Sequence, residues 1–281
     1  MSSITVDRTP LQRRRRRHRI YLQIACVAIS VFMLVPIYLI TLAALSTREA
    51  LNVFPLSLLP TNISFDTLNA FLSSTGVFGA LGNSVIVGVG TVALSAVIGI
   101  PGGYALARFA FPGKEPYQLF LLFTRALPIV VLSVPLAKLF LATNIYDTTY
   151  GVMLLHTSLA LPTTILISAS VFLSVPIDVE EAARIFGCSP IGAFARVVMP
   201  MALPGLAAAS IFTFVMSWNE VLGASILTLD HRTLPAQVLT SLSDSPLAYR
   251  FAGGFALVIP SIIFIAFMRR YLTNMWGSTI R

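Results

Sequence analysis

A partly charged island interrupts an otherwise very apolar chain, and its sequence is Val179-Glu-Glu-Ala-Ala-Arg-Ile-Phe-Gly-Cys-Ser-Pro-Ile-Gly-Ala-Phe-Ala-Arg-Val-Val-Met-Pro200. Apolar side chains recur in it at the i, i+3, i+4 and i+7 spacing that marks one face of a helix. The two apolar sets are Val179, Ala182, Ala183 and Phe186, and then Ile191, Phe194, Ala195 and Val198. The pattern predicts two short amphipathic helices, each of which needs something to pack on.

The first predicted helix has recognisable ends and a polar face. Asp178 is expected to be its N-cap, with Glu181 near the capping-box position. Gly187 suits the left-handed residue after the last turn. Glu180 and Arg184 lie opposite the apolar face at the i, i+4 spacing that favours an ion pair.

The second predicted helix restarts directly after this glycine corner. Ser189 is suited to the N-cap and Pro190 to the first helical position. Pro200 is expected to end the helix, because proline lacks the N–H that a helix interior needs. The segment from 176 to 200, here called the 176–200 segment, is therefore predicted to be helix, corner, helix.

The composition indicates a membrane protein with several spans. Apolar residues make up 56% of the 281 residues and charged residues 11%, and the mean hydropathy is +0.85, which excludes an ordinary soluble domain. The net charge of +8 does not indicate nucleic-acid binding, because seven of the nineteen basic residues precede residue 20. Cys26 and Cys188 have no metal or redox spacing and are expected to be reduced.

Six membrane spans are predicted. The first is an apolar run from 20 to about 45 behind a basic cluster, and it is too long for a cleavable signal peptide, the alternative interpretation. The other five lie near 81–107, 117–140, 150–173, 203–224 and 250–268.

The basic residues predict the orientation of these spans. With the N-terminus inside, fourteen of the nineteen basic residues are cytoplasmic, three are outside, and Arg125 and Lys138 lie in the membrane. Six crossings bring both termini inside and place the 176–200 segment in the cytoplasm. The predicted location is thus the cell membrane, with several spans and both termini cytoplasmic.

The 176–200 segment resembles the EAA loop of ABC importer permeases. Their pattern is Glu-Ala-Ala, three residues, Gly, nine residues and Ile-x-Leu-Pro, and this chain has Glu181-Ala-Ala, Gly187 and Val197-Val-Met-Pro200. Val197 and Met199 depart from that pattern but keep its apolar bulk.

Further motifs are similar to maltose-type, MalG-like permeases over about residues 80 to 272. These motifs are Asn83-Ser84, Tyr104-Ala-Leu-Ala-Arg108, Phe111-Pro-Gly113, Pro176-Ile-Asp178 and Trp218-Asn-Glu220. The basic N-terminus and the absence of a long insertion most resemble the permease subunit of the actinobacterial trehalose importer. The C-terminus, Trp276-Gly-Ser-Thr-Ile-Arg281, departs from the Gly-rich tail common in MalG-like subunits.

This resemblance implies an all-α fold, that of a type I ABC importer permease with six transmembrane helices and cytoplasmic EAA coupling helices. The expected organisation is a basic tail over 1–19, a permease domain over 20–272 with its coupling loop at 176–200, and a second tail over 273–281. The function it implies is import of a carbohydrate, a disaccharide such as trehalose, by a subunit that is not itself an enzyme.

The resemblance also implies partners and a coupling mechanism. The expected partners are a second homologous permease (SugA-like), two copies of a cytoplasmic ABC ATPase (SugC-like), an extracytoplasmic sugar-binding lipoprotein (LpqY-like) and membrane lipid, but no nucleic acid. ATP and magnesium would be held by the ATPase, with no cofactor, metal or catalytic residue in this chain. The residues expected to couple to the ATPase are Glu181, Ala182, Ala183, Arg184, Phe186, Gly187, Ile191, Phe194 and Pro200.

The sequence lacks the common motifs for phosphate binding and for zinc binding. Gly113-Lys114 lacks the rest of a phosphate-binding loop, and no His-Glu-x-x-His helix occurs. His156 is interpreted as a hydrogen-bonded histidine within the bundle, in preference to a proton relay or a ligand. A stand-alone secondary transporter or channel is the alternative function; such proteins often contain internal repeats, and no convincing duplication is visible here.

Three residues are candidates for the solute pathway or the outer gate. Arg125, in the middle of the third predicted span, is expected to face the bundle or a water-filled cavity. Asn219 and Glu220 are expected near the outer boundary of the fifth span, beside Trp218, a candidate interfacial anchor. By resemblance, the outer loop from 228 to 247 corresponds to the loop that reaches into the binding protein; a plain solvated connector is the other interpretation.

Overall fold

A computed structural model describes residues 10–51, 53, 57–60, 63–242 and 245–276. The chain folds into helices, and within these ranges the only bridge of β type is an isolated pair, Ser46 with Ile63. The α-helices are α1 (Pro10–Ala44), α2 (Arg48–Leu51), α3 (Asp66–Leu72), α4 (Val77–Arg108), α5 (Lys114–Thr124), α6 (Ile129–Ala142), α7 (Thr149–Ser174), α8 (Ile177–Ile185), α9 (Pro190–Ala193), α10 (Met199–Asn219), α11 (Leu222–Leu227), α12 (Leu234–Leu242) and α13 (Leu247–Trp276).

The chain forms two compact units. One comprises Met1–Asn69 with Leu247–Phe255, and the other Ala70–Pro246 with Ala256–Arg281. In the first unit, α1 exposes its apolar side chains along the whole candidate span, and only its last turn is buried, where Ala43 belongs to a cluster with Leu51 and Ala248. The second unit holds the packed bundle of α4, α7 and α10 and the 176–200 segment.

The predicted spans are confirmed at five places. Among the described residues, five helices are long and apolar enough to cross a membrane, namely Arg19–Ala44, Val77–Arg108, Thr149–Ser174, Pro190–Asn219 and Leu247–Arg269. The third predicted span, 117–140, is different: α5 and α6 meet at an angle of 90°. Counting this bent pair as one span gives six.

The break in the third span has a local cause. Pro128 precedes α6 with an extended backbone (φ −63°, ψ 130°), and its ring disfavours helical geometry at the preceding residue, Leu127. The predicted span 117–140 is therefore not one continuous helix, because Pro128 separates α5 from α6. Arg125 consequently lies at the end of α5 instead of inside a helix.

Glycines allow the two central helices of the bundle, α4 and α7, to pack closely. A Cβ on Gly99 would lie 2.8 Å from Thr164 Cγ2, and one on Gly103 would lie 2.5 Å from Ser168 Cβ and 2.8 Å from the backbone nitrogen of Ala169. Such distances leave no room for a side chain. Small residues therefore bring the two backbones together, as they commonly do in membrane bundles.

The fifth span begins earlier than predicted and does not stop at Pro200. From α9 the chain passes through a π-helical turn, Phe194–Val198, directly into α10. Pro200 lies in the first turn of α10, where a missing N–H costs little. The prediction that Pro200 ends the second helix was therefore wrong; a wider turn before the proline keeps the helix continuous.

Candidate functional site

The corner of the 176–200 segment has the geometry that its sequence predicts. Gly187 has φ +90°, and the N–H groups of Gly187 and Cys188 donate to the carbonyls of Arg184 and Ala183, each at 3.0 Å. These two bonds are the Schellman pattern that closes a helix C-terminus. At the other end the prediction was wrong: the N-cap is Pro176, and Asp178 lies in the first turn of α8.

The restart after the corner is also as predicted. Ser189 is the N-cap of α9, Pro190 occupies the first turn, and the Ser189 hydroxyl accepts the N–H of Gly192 at 3.1 Å. One of the otherwise unpaired N–H groups of a helix start is thereby satisfied.

A buried carboxylate fixes α8 to the bundle. Glu180 forms the predicted ion pair with Arg184 (Nη2 to Oε1, 3.0 Å), but its side chain is only 4% exposed. Arg108, in the last turn of α4, donates Nε to the other oxygen at 3.0 Å, and the hydroxyl of Tyr104 donates to Oε1. We call these four residues the Glu180 cluster. A carboxylate this buried is stable only when it is paired in this way.

Arg108 and Tyr104 extend the Glu180 cluster to the neighbouring elements. Arg108 also donates Nη2 to the carbonyl of Val175, the residue that ends α7, at 2.9 Å. The ring of Tyr104 lies 5.4 Å from that of Phe172 on α7 and 4.5 Å from that of Phe194 in the π-helical turn, measured between centroids. Both halves of the 176–200 segment therefore close on the end of α4.

An apolar edge of the segment is left uncovered. Phe186 is 88% exposed, Ile185 84% and Ile191 79%. Phe194 is different, because it packs within the chain against Tyr104 and Phe172. The coupling role expected for Phe194 stays a prediction, and its ring lies in the aromatic cluster at the end of α4 and not on the exposed edge.

The remaining expected coupling residues line the rest of the segment. Glu181 and Pro200 are exposed, whereas Ala182 and Ala183 are half-buried. The side chain of Arg184 is 46% exposed. This arrangement gives α8 one face turned to α4 and another turned outwards.

A second carboxylate, Glu220, lies where α10 ends, and its side chain is 11% exposed. His156 on α7 is 1% exposed, with Nδ1 2.8 Å from Ser217 Oγ and Nε2 3.0 Å from Glu220 Oε2. Glu220 also accepts the N–H of Gly223 (2.7 Å) and of Ala224 (3.0 Å), which begin α11. We call His156, Ser217 and Glu220 the Glu220 cluster. The interpretation of His156 as a hydrogen-bonded bundle histidine is confirmed.

The three pathway candidates do not come together. Asn219 is exposed and donates to the carbonyl of Val215, whereas Glu220 turns inwards to cap α11. Arg125 is exposed at the bend between α5 and α6 and is not buried in the bundle of this chain, and its expected position at a water-filled cavity stays a prediction. Trp218 is also not an interfacial anchor: it is 2% exposed and donates to the carbonyl of Leu257.

The loop after α11 is held in place at several points. One carboxylate oxygen of Asp147 accepts the backbone N–H groups of Leu229, Asp230 and His231 at 2.8 to 3.1 Å. Burial raises the pKa of Asp147, but these three bonds outweigh it and leave the pKa below its ordinary value. On α4, Ser84 accepts the N–H of Leu234 at 2.7 Å.

Sequence reasoning missed how Tyr104, Arg108, Asn83 and Ser84 act. In the sequence they stand out only as motif residues. Tyr104 and Arg108 bind Glu180 of α8. Ser84 and Asn83 hold the loop before α12, where Asn83 donates to the carbonyl of Arg232 at 3.1 Å. Their places in the family motifs were the one sequence signal that could have pointed to these roles. Within the described ranges, no group of His, Cys, Asp and Glu side chains is arranged to hold a metal ion.

Comparisons with known proteins identify the class of this bundle. The family model described as "Binding-protein-dependent transport system inner membrane component" matches residues 99–275. The trehalose transport system permease protein SugB of Mycobacterium tuberculosis is 31% identical over 245 residues, which cover 85% of this chain and 89% of that protein. The diacetylchitobiose uptake system permease protein NgcG of Streptomyces coelicolor is 30% identical, covering 90% and 85%.

Solved structures show the same fold at low sequence identity. A chain of a bacterial ABC transporter that imports the acidic polysaccharide alginate superimposes with a TM-score of 0.70 and 21% identity, covering 91% of this chain and 98% of that one. A chain of the MetNI methionine ABC transporter gives a TM-score of 0.53 at 18% identity, covering 76% and 98%. The expected permease fold is therefore confirmed.

Proposed function

Because this chain belongs to the family of binding-protein-dependent transport system inner membrane components, we propose that it is a permease subunit of an ABC importer for a carbohydrate. In this proposal it forms half of the transmembrane pore and catalyses no reaction itself. Membership of this family argues against the alternative of a stand-alone secondary transporter or channel.

The observation that carries the proposal is the two-sided 176–200 segment. One side is fixed to the bundle through Glu180, and the other presents Ile185, Phe186 and Ile191 almost fully exposed. An exposed apolar edge of this kind marks a protein interaction site. A partner that buries Phe186 and Ile191 would gain about 1.5–3 kcal/mol for each fully covered side chain.

The partner proposed for this edge is a cytoplasmic ABC ATPase. When two ATPase copies close on ATP and magnesium, they would move the segment, and the spans would rock between inward-open and outward-open states. Glu181, Ala182, Ala183 and Arg184 would add contacts beside the apolar edge, and Gly187 would form the corner. The segment and both termini are accordingly placed in the cytoplasm.

A second permease chain and an extracytoplasmic binding lipoprotein complete the proposed assembly. By resemblance to the trehalose system these are SugA-like and LpqY-like, and the ATPase is SugC-like. Asn219, Glu220 and Arg125 stay candidates for the solute pathway or the outer gate, with Asn219 and Arg125 the better placed because both are exposed. The domain limits at 19/20 and 272/273 also stay predictions, and residues 277–281 of the second tail lie outside the described residues.

The proposed solute is a disaccharide, trehalose in particular. Trehalose is the solute in the name of the SugB relative, and diacetylchitobiose, another disaccharide, is that of NgcG. The identities of 31% and 30% support the class more strongly than one sugar. ATP-driven uptake of labelled trehalose and of N,N′-diacetylchitobiose into vesicles containing the complete complex tests this choice. If trehalose uptake stays at background while diacetylchitobiose enters, the choice of trehalose is wrong.

Co-purification tests the coupling assignment. We expect the chain, purified from mild detergent, to carry an ATP-hydrolysing subunit, and a Phe186→Asp, Ile191→Asp double variant to lose it. Phe111→Asp is the matched control, because Phe111 is an exposed phenylalanine in the turn after α4. If the ATPase stays bound to the double variant, or never binds the unmodified chain, the coupling assignment is wrong.

A further inference from the structure

Accepting the proposed function, we infer that Tyr104 and Arg108 are positioning residues that make α4, α7 and α8 move as one body. A displacement of the 176–200 segment then reaches the opposite end of α4, where Asn83 and Ser84 hold the outer loop. The inference concerns the buried face of the segment, not its exposed apolar edge.

The first step is the position of Glu180. It projects from a short helix whose other side is exposed, yet its own side chain is 4% exposed and points to α4. Charge-assisted hydrogen bonds at short distance are directional as well as strong. The Glu180 cluster therefore fixes both the distance and the angle between α8 and α4.

The second step is that Arg108 holds a third element. Its guanidinium uses Nε for Glu180 and Nη2 for the carbonyl of Val175, and its side chain is 8% exposed. Because the guanidinium is planar and rigid, α8 and the end of α7 keep fixed positions relative to the same side chain. Lysine could not reproduce this, since its single nitrogen lacks the fork geometry.

The third step is the contact between α4 and α7. At Gly99 and Gly103 the two backbones approach so closely that even a Cβ would meet atoms at 2.5 to 2.8 Å. Interlocked small residues resist sliding, because any shift along the axis drives a backbone into a side chain. The two helices are thus suited to transmit a force along their length.

The fourth step is the far end of α4. Ser84 and Arg108 are 24 residues apart, about 36 Å along a helix. There Ser84 accepts the N–H of Leu234, and Asn83 donates to the carbonyl of Arg232. The same helix therefore holds the 176–200 segment at one end and the loop before α12 at the other.

The experiment measures whether the loop responds to the ATPase. In the complete complex, with Cys26 and Cys188 replaced by serine, the exposed Leu229 is changed to cysteine and labelled with a membrane-impermeant maleimide. Magnesium, ATP and vanadate trap the closed ATPase. We expect trapping to change the labelling rate at least threefold in this parent, and Arg108→Gln to abolish the change while ATP hydrolysis and vanadate trapping continue.

Two further variants keep the test decisive. Arg196→Gln removes an exposed arginine of the same segment that lies outside the Glu180 cluster, and it should preserve the response. Tyr104→Phe removes only a hydroxyl and keeps the ring packing, so it should assemble normally and reduce the response by about half. If the complex with Arg108→Gln does not assemble, the labelling response of the Tyr104→Phe complex decides whether the inference holds.

The outcomes separate the two proposals. An unchanged response in Arg108→Gln, or in Tyr104→Phe if it decides, would overturn the inference and leave the importer proposal intact. Equal losses in Arg108→Gln and Arg196→Gln would also overturn it, because any arginine of this region would then matter equally. A parent complex without ATPase activity, or without a response to trapping, would overturn the importer proposal and the inference with it.

Discussion

Two carboxylates of the bundle, the buried Glu180 and the partly buried Glu220, are held in different ways. Glu180 is paired with Arg184 on its own helix and with Arg108 and the Tyr104 hydroxyl on α4. Glu220 instead faces His156 and accepts two backbone N–H groups only three and four residues ahead. The first therefore joins separate elements, whereas the second mainly shapes the local break between α10 and α11.

The partners of the two carboxylates differ in charge, and this difference suggests different mechanical roles. Glu180 accepts from two guanidinium groups, and charge-assisted hydrogen bonds of this kind are stronger than neutral ones. Backbone N–H groups carry no charge to remove, so the Glu220 cap depends on geometry. We infer that Glu180 suits a joint that transmits movement, and Glu220 a joint that preserves shape. The four predictions below test this contrast.

The largest loss of folding stability is expected for Arg108→Gln. It leaves Glu180 buried with one half-exposed arginine, and losing a partner from a buried ion pair typically costs about 3–5 kcal/mol. Arg184→Gln, the control, removes a half-exposed partner and should cost under about 1 kcal/mol. Denaturant-induced unfolding of the purified chain measures both. Equal losses would mean that the two arginines hold Glu180 equally.

A smaller loss of folding stability is expected for Glu220→Gln. The amide has one acceptor oxygen where the carboxylate has two, so one of its donors, Gly223, Ala224 or His156, loses its acceptor. An unsatisfied buried donor costs about 1–3 kcal/mol. Asn219→Ala is the neighbouring control, because the Asn219 side chain is exposed, and it should change stability by under about 0.5 kcal/mol. A cost for Glu220→Gln as small as that of the control would show that the cap contributes little.

The corner beside the Glu180 cluster should respond to Gly187→Ala. No atom lies within 4 Å of a Cβ there, so the cost comes from the left-handed backbone alone, about 1–2 kcal/mol. Gly82→Ala on α4 is the matched control, since it also has open space but helical geometry. That control should stabilise the chain by about 0.5–1 kcal/mol. A neutral Gly187→Ala would mean that the corner relaxes.

The smallest effect concerns Asp147, a third carboxylate, held by backbone N–H groups. Its pKa is lowered in the folded chain, so its contribution is complete above its ordinary value of 3.8 and disappears as the pH falls through the lower folded value. Because only the thiolate reacts with maleimide, each labelling rate is divided by that of free cysteine at the same pH. We expect this ratio for Leu229→Cys to be constant from pH 7 to 5, and Asp147→Asn to raise it at pH 7. An unchanged rate in Asp147→Asn would show that other contacts hold the loop.

Much of this protein follows from local sequence rules. The apolar runs predict the spans, because a span must hide its backbone in lipid, and the Gly187 corner and the Ser189 cap follow from backbone geometry alone. Two wrong predictions also had local causes. Pro128 breaks the third span, whereas the helix continues through Pro200 because a π-helical turn precedes it. Both prolines obey one steric rule, and the turns around them decided between a break and a continuation.

What the sequence by itself determined is the class of protein, five of the apolar spans and the amphipathic island at 176–200. The tertiary structure alone decided which face of that island is free. On a helical wheel Glu180 belongs to the solvent face, yet it is buried because α4 brings Arg108 and Tyr104 against it. The physical reason is that periodicity records polarity along one helix, whereas a charge can be buried wherever another element supplies its partner.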